Sequence, residues 1–302
     1  ADFGFSDVET AQLDSIAVTT LSSKGTLALN GSSVDSGQSI SRSDIEAGNL
    51  KFTPAANANG TGYDSFKFTV NDGVADSSAS STMTIDVTAV NDLPTGADKT
   101  VTATEDTAFV FTVADFGFSD VDSGAQLQSI AVTTLSSTGT LTLNDSAVTL
   151  GQSISRSDID AGNLKFTPVA NANGTGYDSF KFTVNDGSAD SSVSSTMTID
   201  VTAVNDLPTA SDKTVTATED TAFVFALADF GFSDVETAQL QSIAVTTLSS
   251  KGTLALNGST VTLGQSISRS NIEAGNLKFT PATNANGTGY DSFKFTVNDG
   301  TA

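Results

Sequence analysis

The chain has 302 residues, with 35 Asp plus Glu against 13 Lys plus Arg, and it contains no Cys, His or Trp. A formal net charge of −22 disfavours nucleic acid and anionic membranes as partners. The missing Cys and His exclude disulfides, zinc hydrolase centres and Ser-His or Cys-His nucleophile pairs. The metal ligands that remain are carboxylates, amides and hydroxyls, which suit calcium first and magnesium second. No apolar run approaches the roughly 18 residues that cross a bilayer, so no membrane insertion is expected, and the stretch from Ala1 to Asp7 shows no basic-then-apolar targeting pattern.

An internal repeat organises the chain. Ala-Asp-Phe-Gly-Phe-Ser-Asp-Val begins at Ala1, Ala114 and Ala228, intervals of 113 and 114 residues, and all 19 Phe fall at equivalent places in the copies. Each copy therefore carries its own aromatic core and is expected to fold as a domain. The repeats are read as residues 1–92, lacking the first strands, residues 93–206, complete, and residues 207–302, lacking the last strand. The chain reads as a section of a longer tandem array.

In the complete repeat, Thr100–Ala103 is short and β-branched, and Ala108–Val113 alternates Phe109 and Phe111 with smaller residues. Leu127–Leu135, Gly139–Asn144, Asn163–Thr167, Ser179–Val184 and Thr196–Val204 complete a set of seven predicted strands. Ser155–Asn163 is the helical candidate, with Ser157 as predicted cap and Gly162 as its stop. Short alternating strands with turn signals between them predict an all-β fold of tandem antiparallel β-sandwich domains of the immunoglobulin type. Lacking the immunoglobulin disulfide and core Trp, each must rest on Phe and aliphatic packing.

Strand order turns the acids into a geometric expectation. If the strands alternate in direction, Thr104-Glu105-Asp106 and the loop Asn171–Asp178 lie at the far end of the repeat. Asp120, Asp122 and the hairpin Asn185-Asp186-Gly187 lie at the near end. The first junction is then expected to join Asp64, Asn91 and Asp92 with Asp120, Asp122 and Asp186. The second joins Glu105, Asp178, Asn205 and Asp206 with Asp234, Glu236 and Asp299. Asp7, Glu9 and Asp72 lie at the near end of the first repeat. Asp72, Asp186 and Asp299 are read equally as turn formers, and the Gly-rich loop Asn57-Ala-Asn-Gly-Thr-Gly as a plain connection.

The linker Val90-Asn-Asp-Leu-Pro94 resembles the cadherin linker. Glu105 resembles the isolated cadherin glutamate after the first strand, and Asp120-Val-Asp122 the paired aspartates after the second. The whole period is similar to the cadherin-like or bacterial Ig-like tandem repeats of large bacterial surface adhesins, including the repeats-in-toxin group, over essentially all 302 residues. It departs from the cadherin pattern at Tyr177-Asp178, a reduced acidic motif, and in the Asp-Val-Glu of the first and third repeats. The resemblance implies an elongated array with Ca2+ at the junctions, neighbouring repeats as partners, and a place on a bacterial cell surface or in an extracellular biofilm matrix. Non-enzymatic extension of an adhesin is the expected function, a segment of an extracellular filament completed by other copies the alternative. A carbohydrate-binding module would need an exposed aromatic platform, for which a chain without Trp offers little.

Overall fold

The computed structural model describes residues 2–9 and 12–301. Period-two alternation decides which faces pack. In Ser195–Thr202, Met197, Ile199 and Val201 are buried while Thr198 and Asp200 between them stay partly exposed. The middle repeat is two stacked sheets. One runs in the order Ser153–Ser155, Ser129–Thr134, Gly174–Asn185, Ser195–Thr202, Lys99–Thr104. The other runs Ser146–Ala147, Thr140–Leu143, Leu164–Thr167, Phe109–Val110.

Neighbours are antiparallel with one exception. Ser195–Thr202 and Lys99–Thr104 pair in parallel, from Met197 opposite Lys99 to Thr202 opposite Thr104. The alternation that gives the repeat its ends also sends its first and last strands in the same direction, and here they become neighbours.

Between the sheets Phe111, Phe116, Phe166, Phe180 and Phe182 are fully buried. Phe111 meets Phe180 edge to face at 5.5 Å and Phe116 meets Phe182 at 5.0 Å. The third repeat rebuilds both contacts, Phe225 on Phe293 at 5.4 Å and Phe230 on Phe295 at 5.1 Å. Burying a Phe contributes about 1.5–3 kcal/mol, with about 0.5–1.5 kcal/mol more for such ring geometry, so this stack stands where a disulfide and Trp would. Among the described residues the buried apolar side chains form three clusters, each drawn from one repeat.

Two local expectations change. Of the predicted strand 108–113 only Phe109–Val110 is regular strand, with the Phe111 N–H still donating to the Leu164 carbonyl at 3.1 Å, because Val113–Phe116 winds into a 3-10 turn whose start is held by Asp115 Oδ2 accepting the Thr112 N–H at 2.7 Å. The helix spans Arg156–Asp160 and Ser155, not Ser157, caps it, accepting the Asp158 N–H at 3.1 Å. Ser155 keeps the extended backbone an N-cap requires.

The first repeat repeats the two-sheet plan in the orders Ser39–Ser41, Ser15–Thr20, Gly60–Asn71, Ser81–Val87 and Ser32–Ser33, Gly25–Leu29, Leu50–Pro54. Each linker is laid on the repeat that follows it. Thr95 exchanges backbone hydrogen bonds of 2.7 and 2.8 Å with Ser119, and Thr209–Ala210 pairs with Phe232–Ser233. Among the described residues no helix is long and apolar enough to cross a membrane.

Candidate metal centres at the repeat junctions

The second junction is built by the end of one strand, one loop and the linker. Glu105 ends the strand Lys99–Thr104 and is only 2% exposed. Its Oε1 accepts the Val204 N–H at 2.5 Å and its Oε2 the Asn173 side-chain amide at 2.9 Å. Asp106 follows in the left-handed region at φ 57, which an Asx residue tolerates, and its Oδ1 accepts the Asn171 N–H at 2.9 Å. With its NH2 group toward them, the Asn171 amide reaches Oδ2 of Asp106 and of Asp206, both at 3.3 Å. The Asp206 N–H donates to Glu236 Oε1 of the third repeat at 3.1 Å. Burial pushes the Asp206 carboxyl above its ordinary value, and the charges of Glu236, Asp106 and Glu105 add to that. Asn205 donates to the Asp206 carbonyl at 2.8 Å.

The first junction follows the same plan. The Asp92 N–H donates to Asp122 Oδ2 at 2.8 Å, and the Asp122 N–H to Asp120 Oδ1 at 2.7 Å. The Asn91 amide donates to Asp186 Oδ2 at 3.0 Å across 95 positions. Asn59 of the first repeat lines the same open cleft as Asn91, Asp122 and Asp186. Asp186 serves its own turn as well, since its Oδ1 accepts the N–H groups of Ser188 and Ala189. The Ala189 bond foremost, against burial and with help from Ser188 and Asn91, holds its carboxyl below the ordinary value. In the third repeat Asp299 is buried and accepts the Thr301 N–H at 2.7 Å.

Among the described residues, carboxylate oxygens at these junctions that are buried without a hydrogen-bond partner include Asp120 Oδ2, Asp234 Oδ2 and Glu236 Oε2. Each of these residues uses its other oxygen on a nearby backbone N–H, that of Asp122, Ala238 and Asp206 in turn. A buried carboxylate oxygen with no donor is costly and is the kind of atom a hard cation satisfies. Among the described residues no three Asp, Glu, His or Cys side chains are drawn into one metal-binding group. A cation here would therefore draw on amide and backbone oxygens beside the carboxylates, as calcium does.

Asp64 and Asp178, expected at the junctions, have another task. Asp178 is 6% exposed, and its oxygens accept the N–H groups of Ser137, Thr138, Gly139 and Ser179 at 2.8–3.0 Å. Asp64 does the same for Ser23, Lys24, Gly25 and Ser65, and Asp291 for Ser250, Lys251, Gly252 and Ser292. Burial opposes these charges, but the backbone donors overcome it, holding Asp64 and Asp178 below the ordinary value and Asp291 at about 2. The glycine in the loop is needed, since a Cβ at Gly139 would sit 2.3 Å from the Phe166 ring. The register shifts between Gly174 and Asp178, and between Gly60 and Asp64. The strands begin at Gly174 and Gly60, so Asp178 and Asp64 sit inside them and face the neighbouring loop, where a strand beginning at Ser179 had left Asp178 in the loop.

Asp106, Asn171, Asn173 and Asn59 were not among the expected site residues. Strand direction had placed the Asn171–Asp178 loop at the far end, and its Asn-Ala-Asn recurs at Asn57 and Asn284. In the third repeat Asn286 donates to Glu219 at 2.8 Å and the Asn284 N–H to Asp220 at 2.9 Å, the same arrangement rebuilt.

The sequence profile of the bacterial Ig domain matches residues 5–88, 91–202 and 205–302. The chain belongs to the bacterial Ig domain family. The second and third bacterial Ig domains open at Asn91 and Asn205, so the acidic linkers stand at the head of the repeat they lie against. No curated protein matches the sequence. Solved structures similar to the array include the endo-fucoidan hydrolase MfFcnA4 from glycoside hydrolase family 107, at 18% identity and TM-score 0.24, covering 98% of this chain and 38% of that one. Drosophila N-cadherin EC1-4 is similar at 10% identity and TM-score 0.34, covering 92% and 60%. Domains 4 and 5 of the S-layer protein SbsC are similar at 13% identity and TM-score 0.21, covering 63% and 100%. The chain thus spans well under half of the hydrolase.

Proposed function

We propose that this array is a calcium-stiffened, non-enzymatic extender of a bacterial cell-surface or biofilm matrix protein, of the kind that holds an adhesive domain away from the cell. The observation that carries the reading is at the second junction. Glu236 Oε2 is buried without a donor, beside an Asp206 whose carboxyl is pushed up by burial and by Glu236, Asp106 and Glu105. Asp206 and Glu236 would hold an ion there, with the Asn171 amide turning its oxygen inward and backbone oxygens completing the shell. Asp120 and Asp122 would do so at the first junction, beside the Asn91 amide.

Calcium supplies the divalent charge that these oxygens lack. The protein's own residues do the rest: the linker amides of Asp92 and Asp206 are fixed on Asp122 and Glu236, and Pro94 and Pro208 restrict the backbone around them. Extracellular modules bind calcium at about 10⁻⁴ to 10⁻³ M, so a millimolar exterior fills such sites and a cell interior does not. Calorimetric titration of the metal-free protein tests the reading. Saturable calcium binding in that range is expected, with magnesium weaker, and a titration without binding heat or any shift in melting overturns it.

A further inference from the structure

Asn-Gly stands in the same loop of every repeat, at Asn59-Gly60, Asn173-Gly174 and Asn286-Gly287, and all three Asn are exposed. The glycines hold φ at 139, 149 and 147, and a Cβ on any of them would meet nothing within 4 Å. Glycine is therefore kept for its backbone freedom rather than for lack of room. In the middle repeat Asn173 is also a fastening. Its side-chain N–H donates at 2.9 Å to Oε2 of the buried Glu105, whose Oε1 holds the linker at the Val204 N–H. Asn286 repeats the contact on Glu219 at 2.8 Å.

We propose that these three Asn-Gly pairs are self-deamidation sites, and that at Asn173 the reaction turns an amide donor into a carboxylate and so loosens the end of the repeat as the protein ages. The backbone nitrogen of Gly174, unshielded by any Cβ, loses its proton and attacks Cγ of Asn173. The new C–N bond closes a succinimide ring, the bond from Cγ to Nδ2 breaks, and that nitrogen leaves with the proton as ammonia. Water, the one co-reactant, then opens the ring at either carbonyl and leaves Asp or isoaspartate in place of Asn173. The product cannot donate to Glu105. Where an N–H met Oε2 at 2.9 Å, a second negative oxygen faces a buried carboxylate, and like charges so close repel. Glu105 is driven from the loop, and its hold on Val204 weakens with it. The hairpin pairs Asn30-Gly31 and Asn257-Gly258 are the internal comparison. Their Asn residues, at φ 51 and 50, are locked in left-handed turns between paired strands, so ring closure there has to unpick the turn.

Incubation of the whole chain at mildly alkaline pH, followed by peptide mass spectrometry, is expected to show the amide lost at Asn59, Asn173 and Asn286 ahead of Asn30 and Asn257, with Asp and isoaspartate resolved as two products. Asn173→Asp carries the product from the start and is expected to lower the melting temperature. Asn173→Asp with Glu105→Gln swaps amide and carboxylate across the same contact and is expected to recover most of that loss. Chelator is present throughout, so the outcome is independent of the calcium reading. Intact amides in the three loops, or hairpin Asn residues that convert as fast, overturn the proposal. An Asn173→Asp chain that melts like the parent, or one that the Glu105→Gln swap does not rescue, overturns the loosening at Glu105.

Discussion

The backbone N–H of Asp206 donates to Oε1 of Glu236 at 3.1 Å, 30 residues further along the chain. The linker is thus tied to the next repeat by an amide, while the Asp206 side chain is crowded by the carboxylate that accepts that bond. The junction is held by its backbone and strained by its charges.

Neutralising that strain separates the two effects. Asp206→Asn keeps the backbone bond and removes one of the crowded charges. Calcium affinity is expected to fall roughly tenfold or more at one class of site, as loss of a charged ligand lowers it, with the first junction unaffected. Calorimetric titration showing both classes weakened equally would contradict the assignment of Asp206 to the second junction.

Asp178 is expected to behave in the opposite way. Replacing it by Ala strands the N–H groups of Ser137, Thr138 and Gly139, which costs the middle repeat about 2–4 kcal/mol and leaves calcium affinity unchanged. Urea unfolding and calcium titration of the same variant check both halves; a lost calcium site would return Asp178 to the junction.

Acid acts on the same loops. Asp64, Asp178 and Asp291 have folded values below their unfolded ones. Their stabilisation is therefore complete above the unfolded carboxyl value near 4 and disappears as pH falls through the folded values, about 2 for Asp291. Melting temperatures in chelator are expected to drop from about pH 4 downward, and Asp178→Asn to flatten part of that drop.

Because the apolar clusters are separate, a core truncation stays local. Phe180 is fully buried against Phe111 and Phe182, so Phe180→Ala costs about 3–5 kcal/mol. Scanning calorimetry is expected to show one transition moved down and the remainder in place; a shift of the whole profile would mean the repeats melt together.

The cores were legible in the sequence because Phe and aliphatic residues recur with the repeat and alternate with the strand. Phe180 and Phe182 needed no more than that to be placed. The role of Asp178 was not legible because its strand begins at Gly174, five residues before the predicted start at Ser179, which takes Asp178 out of the loop and turns it onto the N–H groups of Ser137, Thr138 and Gly139. Ser155 and Ser157 are both good caps, and backbone geometry alone decides between them. Glu105 was assigned to the second junction by strand direction, and it does reach the linker at Val204. Its partner Asn173 looked like part of a glycine-rich loop, because an amide carries no charge to mark it.

Small-angle X-ray scattering of the whole chain with saturating calcium and then with chelator tests the stiffened array most directly. With calcium, one rigid arrangement is expected to fit the profile; after chelation, the profile is expected to require an ensemble of bent forms with a changed maximum dimension. Superimposable profiles in the two conditions would contradict calcium as the element that stiffens the junctions.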